Sequence, residues 1–295
     1  MMHIQKVSRS VGTHDGSFHA DEVTACALLL LFDLIDESRI IRTRDSHVLC
    51  TCEYVCDVGG YYDPTQKLFD HHQIEYTGGL SSAGMILEYL RDEGYLKPKE
   101  YDFLNQVLVI GVDAHDNGKE LQAVGVCTFS HVVSNFCPIA YDADIQTQNK
   151  AFLEALHFVS GHLKRLLERY KYVQSCRQIV AESMQNGKDC LFFDKGIPWI
   201  DPFFEMNGAG HPALFVIMPA GTHWKLRCIP PTNKERMKVR TPLPKEWAGL
   251  LNEDLQRASG IPGAIFCHKG RFTSVWETLE DARKALEFVL KREAK

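Results

Sequence analysis

The chain reads as an α/β protein: a parallel-sheet N-terminal domain, a long linker helix and a smaller C-terminal α/β domain with a mixed sheet. Three observations lead to this reading. Apolar strand-like runs alternate with helix-like runs through the first half. From about Thr147 to Gln185 apolar residues keep helical spacing, with no proline and only Gly161 to interrupt them. After Gly187, short strand-like runs separated by turn signals take over.

Taken in order, helices are expected over Asp21–Phe32, over Ser82–Arg91 behind a Ser81 cap, and over Glu100–Val112. The apolar run Val48–Val58 reads as a strand and leads into Asp57-Val58-Gly59-Gly60. Lys67-Leu68-Phe69 runs straight into Asp70-His71-His72, and the turn signal Asp63-Pro64 lies between the two runs. Leu153, Leu156, Val159, Leu163, Leu166, Leu167, Tyr170 and Val173 mark one long helix, or two joined near Gly161. Leu191-Phe192-Phe193, Ala213–Met218 and Trp224–Ile229 read as strands, the last two joined by a hairpin at Pro219-Ala220-Gly221-Thr222. Leu279–Leu290 closes the chain as an amphipathic helix. The expected boundaries are 1–146, 147–187 and 188–295.

A chain of 295 residues, 45% hydrophobic and 24% charged, can bury full cores without disulfides. Its ten cysteines are scattered, several inside apolar runs such as Cys26-Ala27-Leu28-Leu29, which is how free buried thiols look. A reducing, cytoplasmic setting is therefore expected. Cys50-x-Cys52-x3-Cys56 has no second ligand pair downstream, so it reads as strand alternation and not as a zinc finger. Met1–Lys6 has no apolar signal core, and Val23–Phe32 is too short to cross a bilayer, so no membrane association is expected. The net charge of −5 argues against wholesale coating of nucleic acid. Residues 225–245 nevertheless sum to +6, a strip that suits an anionic substrate held at one place, or a solvated basic loop.

The strongest chemical signal is Thr13-His14-Asp15-Gly16-Ser17-Phe18-His19-Ala20-Asp21-Glu22, where His14, Asp15, His19 and Asp21 crowd a loop that feeds a helix. Clustered carboxylates repel one another unless a cation or a shared proton neutralises them. Mixed nitrogen and oxygen donors suit Mn²⁺, Mg²⁺, Fe²⁺ or Zn²⁺ better than Ca²⁺. Three more acids are expected at strand ends: Asp57, Asp70 and Asp113, the last after Val107–Val112. Groups at the carboxyl ends of strands in an open α/β sheet share one crevice, so all of these can converge. Taken singly, each acid also reads as an ordinary loop residue.

These runs resemble the melanocyte-proliferating-gene (MYG) exonuclease family, a branch of the DHH phosphoesterase superfamily. The resemblance rests on the 13–22 segment, Asp57-Val58-Gly59-Gly60, Phe69-Asp70-His71-His72-Gln73 and Val112-Asp113-Ala114-x-Asp116-Asn117-Gly118. It extends through His211-Pro212-Ala213-Leu214-Phe215-Val216-Ile217, Pro242-Leu243-Pro244-x-x-Trp247-x-Gly249-Leu250 and Ser259-Gly260-Ile261-Pro262-Gly263. It implies a DHH-like catalytic domain, a connecting helix and a C-terminal substrate domain closing over a cleft. It also implies a metal-dependent phosphodiesterase, with 3′-to-5′ RNA exonuclease activity attributed to the family. By position, the first superfamily motif falls on Asp15, His19 and Asp21, with His14 an extra candidate; the second on Asp57, the third on His71 and His72, and the fourth on Asp113. The commoner first motif has acids where His19 stands, and a family glycine-rich segment is replaced here by Gly270-Arg271-Phe272-Thr273-Ser274-Val275-Trp276.

The resulting expectation is a centre holding two ions, Mn²⁺ or Mg²⁺, with Asp57 bridging them. His14, Asp15, His19, Asp21, His71 and Asp113 are the other candidate ligands. Asp70 would orient the His71–His72 pair. His72 would meet phosphoryl charge or protonate the leaving group, or else support His71. Arg227, Lys225, His211, Arg236 and Arg240, with Lys238, are candidates for holding substrate phosphate. Trp199, Phe203 and Trp247 read better as core than as base-stacking platforms. Single-stranded RNA or a short oligonucleotide is the expected partner. The rival readings are a small-molecule phosphohydrolase, acting on pyrophosphate, cyclic dinucleotides or nucleoside bisphosphates, and a non-catalytic metal-binding scaffold.

Overall fold

The computed structural model describes residues 5–120 and 123–293. Part of the Met1–Lys6 segment, read above as having no apolar signal core, therefore lies outside the described residues. The chain divides into two compact units, Met1–Tyr170 and Lys171–Lys295.

The first unit runs β1 (Val7–Thr13), α1 (Ala20–Leu31), β2 (Ile40–Arg42), α2 (Ser46–Leu49), β3 (Cys52–Cys56), β4 (Tyr62–Asp63), β5 (Leu68–Phe69), α3 (Ser82–Asp92), α4 (Pro98–Leu104), α5 (Ile110–Asp116), α6 (Phe129–Ser134) and α7 (Ile145–Ser175). Its sheet has the order β2-β1-β3-β5-β4, parallel except at β4. In register, Val11 faces Ile40 and Tyr54, and Cys56 faces Phe69, so the carboxyl ends of β1, β3 and β5 are neighbours. Helix α1 is buried nearly all round, from Ala20 to Leu29, which explains its continuous apolar run. Phe69, Leu87, Val109, Phe152 and Leu163 complete the same core.

One expected boundary changes, and one pair of alternatives is decided. The strand expected from Val48 begins only at Cys52, because the Asp45 carboxylate accepts the His47 amide at 2.8 Å and starts helix α2 instead. Of the two readings of the linker, one long helix or two joined near Gly161, the helix runs unbroken through Gly161. Val159 and Leu163 on either side are fully buried, and that packing outweighs the roughly 1 kcal/mol that a helical glycine costs. The helix ends instead at Ser175.

The second unit adds α8 (Arg177–Asn186), β6 (Cys190–Phe192), α9 (Ile200–Glu205), β7 (Phe215–Ala220), β8 (His223–Cys228), α10 (Asn252–Ser259), β9 (Ala264–Cys267), β10 (Thr273–Trp276) and α11 (Leu279–Glu293). Its mixed sheet has the order β6-β7-β8-β10-β9, with β6 and β7 parallel and the other pairs antiparallel. Gly221, at φ +66°, makes the tight β7–β8 turn that a β-branched residue would strain. One side of the sheet packs Phe215, Leu226 and Trp276 against Leu255, Ala285 and Val289. On the other side Leu191, Val216 and Met218 meet Val180 and Phe203. Trp199, Phe203 and Trp247 are core residues, at most 2% exposed. All ten cysteines are free thiols. Among the described residues no helix is long and apolar enough to cross a membrane.

Candidate metal centre

The loop from β1 to α1 presents two imidazoles. His14 Nδ1 lies 2.9 Å from the Asp15 carbonyl oxygen and donates to it, which leaves Nε2 as the free donor atom. That nitrogen stands 3.0 Å from Glu22 Oε1 and 3.3 Å from Asp57 Oδ2. His19 sits at the start of α1, and its backbone amide donates to both Glu22 oxygens at 3.0 Å. From β2, Arg42 donates to the Gly16 carbonyl at 2.6 Å while its guanidinium lies 4.7 Å from the Phe152 ring centroid. A stacked, half-buried arginine thereby holds the loop in place from behind.

Asp57 stands immediately after β3 with φ +57°, a left-handed conformation that costs a non-glycine residue energy and that tends to mark functional positions. Its amide donates to the Phe69 carbonyl at 3.0 Å, so sheet pairing maintains the strain. Its two oxygens face different partners. Oδ2 looks toward His14, whereas Oδ1 is 3.5 Å from His71 Nε2 and 3.4 Å from His72 Nδ1. His71 Nε2 is also 2.9 Å from Asp116 Oδ2. Asp70 accepts the Gly60 amide at 2.5 Å and, on its other oxygen, both the backbone amide and Nδ1 of His72, at 3.1 and 2.8 Å. His72 is thereby oriented with its ring 62% exposed.

Asp21 and Asp113 meet at the start of α3. Asp21 accepts the Ser81 hydroxyl and the amides of Ser82 and Ala83, at 2.5, 3.0 and 2.6 Å. Asp113 Oδ1 accepts the Ser81 hydroxyl and the amides of Ser81 and Gly84, at 2.7, 3.0 and 3.1 Å. Ser81 is thus the expected cap by position, but its single hydroxyl proton is shared between the two acids and makes no capping bond. The acids themselves satisfy the helix's free amides. Gly84 is required here, because a methyl group at its α-carbon would collide with the Asp113 carboxylate.

Burial resists charging His14, but Asp57 and Glu22 overcome it and push its pKa up to about 10. His71, also opposed by burial, is raised to about 10 by Asp116 and Asp57. Asp57 is itself drawn down to about 2: burial would raise it, and His14 and His71 more than compensate. Asp21 is pushed well above the usual carboxylate range by burial and by Asp57 and Asp116. Burial also raises Asp113, against its hydrogen bonds from Ser81 and Gly84.

The donor atoms fall into three overlapping sets, each within 4.8 Å: His14, His19, Glu22 and Asp57; Asp57, His71 and His72; Asp21, His71 and Asp116. Asp57 Oδ1 and His71 Nε2 are buried with no hydrogen-bond partner of acceptable geometry. Orphaned polar atoms facing one another among carboxylates are what a divalent cation would satisfy, so the residues fit the expected ions. Asp15 and Asp113 stand outside these sets. Asp15 pairs with Arg44 at 3.4 Å on the surface. Asp113 comes from a helix, not from the expected strand end, and spends its hydrogen bonds on α3. Glu22 and Asp116 were not singled out from sequence. Glu22 sits where a capping-box acid belongs, which masks any other role. Asp116 follows Asp113 by three residues, the spacing that puts two side chains on one helix face.

Residues 10–288 match the family model MYG1_exonuc, described as uncharacterised protein family UPF0160. The chain belongs to the MYG1 family. The MYG1-family chain is 52% identical over 288 residues to the MYG1 protein of Chlamydia muridarum (strain MoPn / Nigg), covering 98% of this chain and 99% of that one. It is 31% identical over 315 residues to the MYG1 exonuclease of Homo sapiens, covering 92% and 83%. A crystal structure of RecJ in complex with Mn²⁺ from Thermus thermophilus overlays with a TM-score of 0.30 and 12% identity, over 96% of this chain and 52% of that one.

In the second unit of this MYG1-family chain the candidate phosphate binders divide by their partners. Arg240 donates to the carbonyls of His211, Ala213 and Gly208 at 2.5, 2.7 and 2.6 Å, so its guanidinium is engaged with backbone. His211 uses both ring nitrogens, on the Met184 carbonyl at 2.9 Å and the Ala213 amide at 3.1 Å. Arg236 pairs with Asp201, and Lys238 with Glu235 at 2.7 Å. Lys225 and Arg227 are different. They share one face of β8, half-buried opposite Val275 and Thr273, and neither has an ion-pair partner among the described residues. Burial lowers the pKa of both, and each is therefore a cation poised to gain from an incoming anion.

Proposed function

We propose that this chain is a divalent-metal-dependent phosphodiester hydrolase, an exonuclease that digests single-stranded RNA from its 3′ end with a two-metal centre. The observation that carries the two-metal part is Asp57, whose separate oxygens face His14 and His71. The nuclease part is supported by family membership and by relatives that bear the name MYG1 exonuclease.

In this reading His14, His19, Glu22 and Asp57 would hold one ion, and Asp57, His71, Asp21 and Asp116 the other. Imidazole donors in both sets favour Mn²⁺ over Mg²⁺, which prefers oxygen and water. The ions, when bound, supply a hydroxide nucleophile at neutral pH and neutralise charge on the phosphoryl oxygens. His72, aligned by Asp70 and open to solvent, holds a proton for the departing sugar oxygen. A cavity of about 400 Å³ beside His19, lined by Ser17, Phe18, Asn135, Tyr141 and Gln148, is large enough for a nucleoside and rich in neutral hydrogen-bonding groups.

A panel of end-labelled RNA, the matching DNA, pyrophosphate and cyclic dinucleotides, assayed with Mn²⁺, tests this. RNA shortened one nucleotide at a time from the 3′ end is the expected result. Turnover confined to the small phosphates would move the function to small-molecule hydrolysis, and no turnover of any substrate would leave a scaffold. Lys225 and Arg227 are the phosphate-holding cations in this reading. Arg227→Ala should raise KM about tenfold and leave kcat and bound manganese near the wild-type values. An unchanged KM removes Arg227 from substrate binding.

A further inference from the structure

Helix α5 carries a second chemically loaded face. Asp113 and Asp116 lie three residues apart and face α3 and His71. His115 is turned about 100° from Asp116 around the helix axis and meets α6 instead. There its ring stands edge-on to His131, with centroids 5.2 Å apart and planes at 79°. His115 Nδ1 lies 2.7 Å from Glu120 Oε2. The other oxygen of Glu120 is shielded from solvent and has no hydrogen-bond partner. His131 Nδ1 is 2.9 Å from the hydroxyl of Thr128, the residue that caps α6. One donor atom from each of His115, Glu120 and His131 falls within 4.8 Å of the other two.

We propose that His115, Glu120 and His131 form a zinc site separate from the Asp57 centre, with water in the remaining position. Two imidazoles and one carboxylate are a zinc donor set, and too rich in nitrogen for Mg²⁺ or Ca²⁺. The short His115–Glu120 contact is held by a proton, and Zn²⁺ would take that proton's place and release it to solvent. Thr128 supplies the supporting contact. With His131 Nδ1–H donating to its hydroxyl, Nε2 is left as a metal donor. A donor set spanning 4.8 Å has to tighten to accept bonds of about 2.0–2.2 Å. Glu120 follows the end of α5 and the exposed side chain of His131 projects from the first turn of α6, so both side chains have room to close. The ion would tie Glu120 and helix α6 to helix α5.

The test uses the full chain, stripped with chelator and titrated with Zn²⁺ by calorimetry, with bound zinc counted by elemental analysis. Wild type is expected to hold one zinc ion more than His131→Gln or Glu120→Gln. Both variants should keep Mn²⁺-dependent hydrolysis within about twofold, because the sites are separate. Asp57→Asn should retain the zinc ion that is lost from His131→Gln. Co²⁺ in place of zinc should give the intense visible absorption of a four-coordinate site in wild type, absent from His131→Gln. Equal zinc content and affinity in wild type and both variants overturns the proposal. Joint loss of zinc and hydrolysis in His131→Gln also overturns it, by assigning these residues to the Asp57 centre.

Discussion

Asp57→Asn is expected to lower the rate of phosphodiester hydrolysis by at least about 10³-fold, about 4 kcal/mol of transition-state stabilisation, and to leave the fold intact. The amide keeps the size of the carboxylate and one oxygen, so the β3–β5 pairing through the Asp57 backbone survives. What disappears is the negative charge that faces His14 on one side and His71 on the other. A single substitution should therefore weaken both ion sites together, whereas His14→Ala or Asp116→Asn should weaken one. The measurements are turnover with Mn²⁺, metal content and a circular dichroism melt. Near-normal turnover in Asp57→Asn would remove the bridging role.

The second large effect is on pH. A histidine whose pKa rises on folding stabilises the protein fully below its ordinary 6.5, and that stability is lost as pH climbs through the raised value. For His14 and His71 the window is therefore 6.5 to about 10, and the metal-free fold should weaken across it. Metal binding has the opposite sign. With pKa values raised to about 10 by their carboxylate neighbours, both imidazoles would carry protons at neutral pH in the metal-free protein and would have to lose them to become ligands. Loading the centre should release about two protons, one for each ion, so the affinity for each Mn²⁺ should rise about tenfold per pH unit between about pH 6 and 8. Calorimetry in buffers of different ionisation enthalpy counts those protons directly. An affinity independent of pH would mean that His14 and His71 do not ligate.

The parts of the site that could be read in the sequence are those where one segment concentrates unlike donors. His14, His19 and Asp21 crowd a glycine-bearing loop, and Asp57 and Asp70–His72 follow apolar runs that do become parallel strands. Such patterns survive translation into structure because strand ends of a parallel sheet are held side by side. Glu22 and Asp116 were hidden for a different reason. Each lies within a helix, where an acid has ordinary local uses, and only the fold decides which way it faces. The cations of the second unit show the same limit. Arg240 and Arg227 are both basic residues in one strip, and in the sequence only the strand-like run around Arg227 separates them. Three backbone carbonyls engage the first, and strand alternation leaves the second unpaired. The strand boundary at Val48 moved because a capping aspartate outweighed local propensity, and the choice at Gly161 fell to one unbroken helix because its neighbours are buried.

The junction at Ser81 constrains how this protein can attract a phosphate. A helix beginning in a buried pocket is normally a ready seat for an anion, since its first amides point outward with partial positive charge. At α3 that seat is filled by the protein's own Asp21 and Asp113. An arriving nucleotide therefore finds no vacant backbone cradle there. Under the proposed function its negative charge would be met by the bound ions and by basic side chains, which would make binding sensitive to salt and to metal supply from the first encounter.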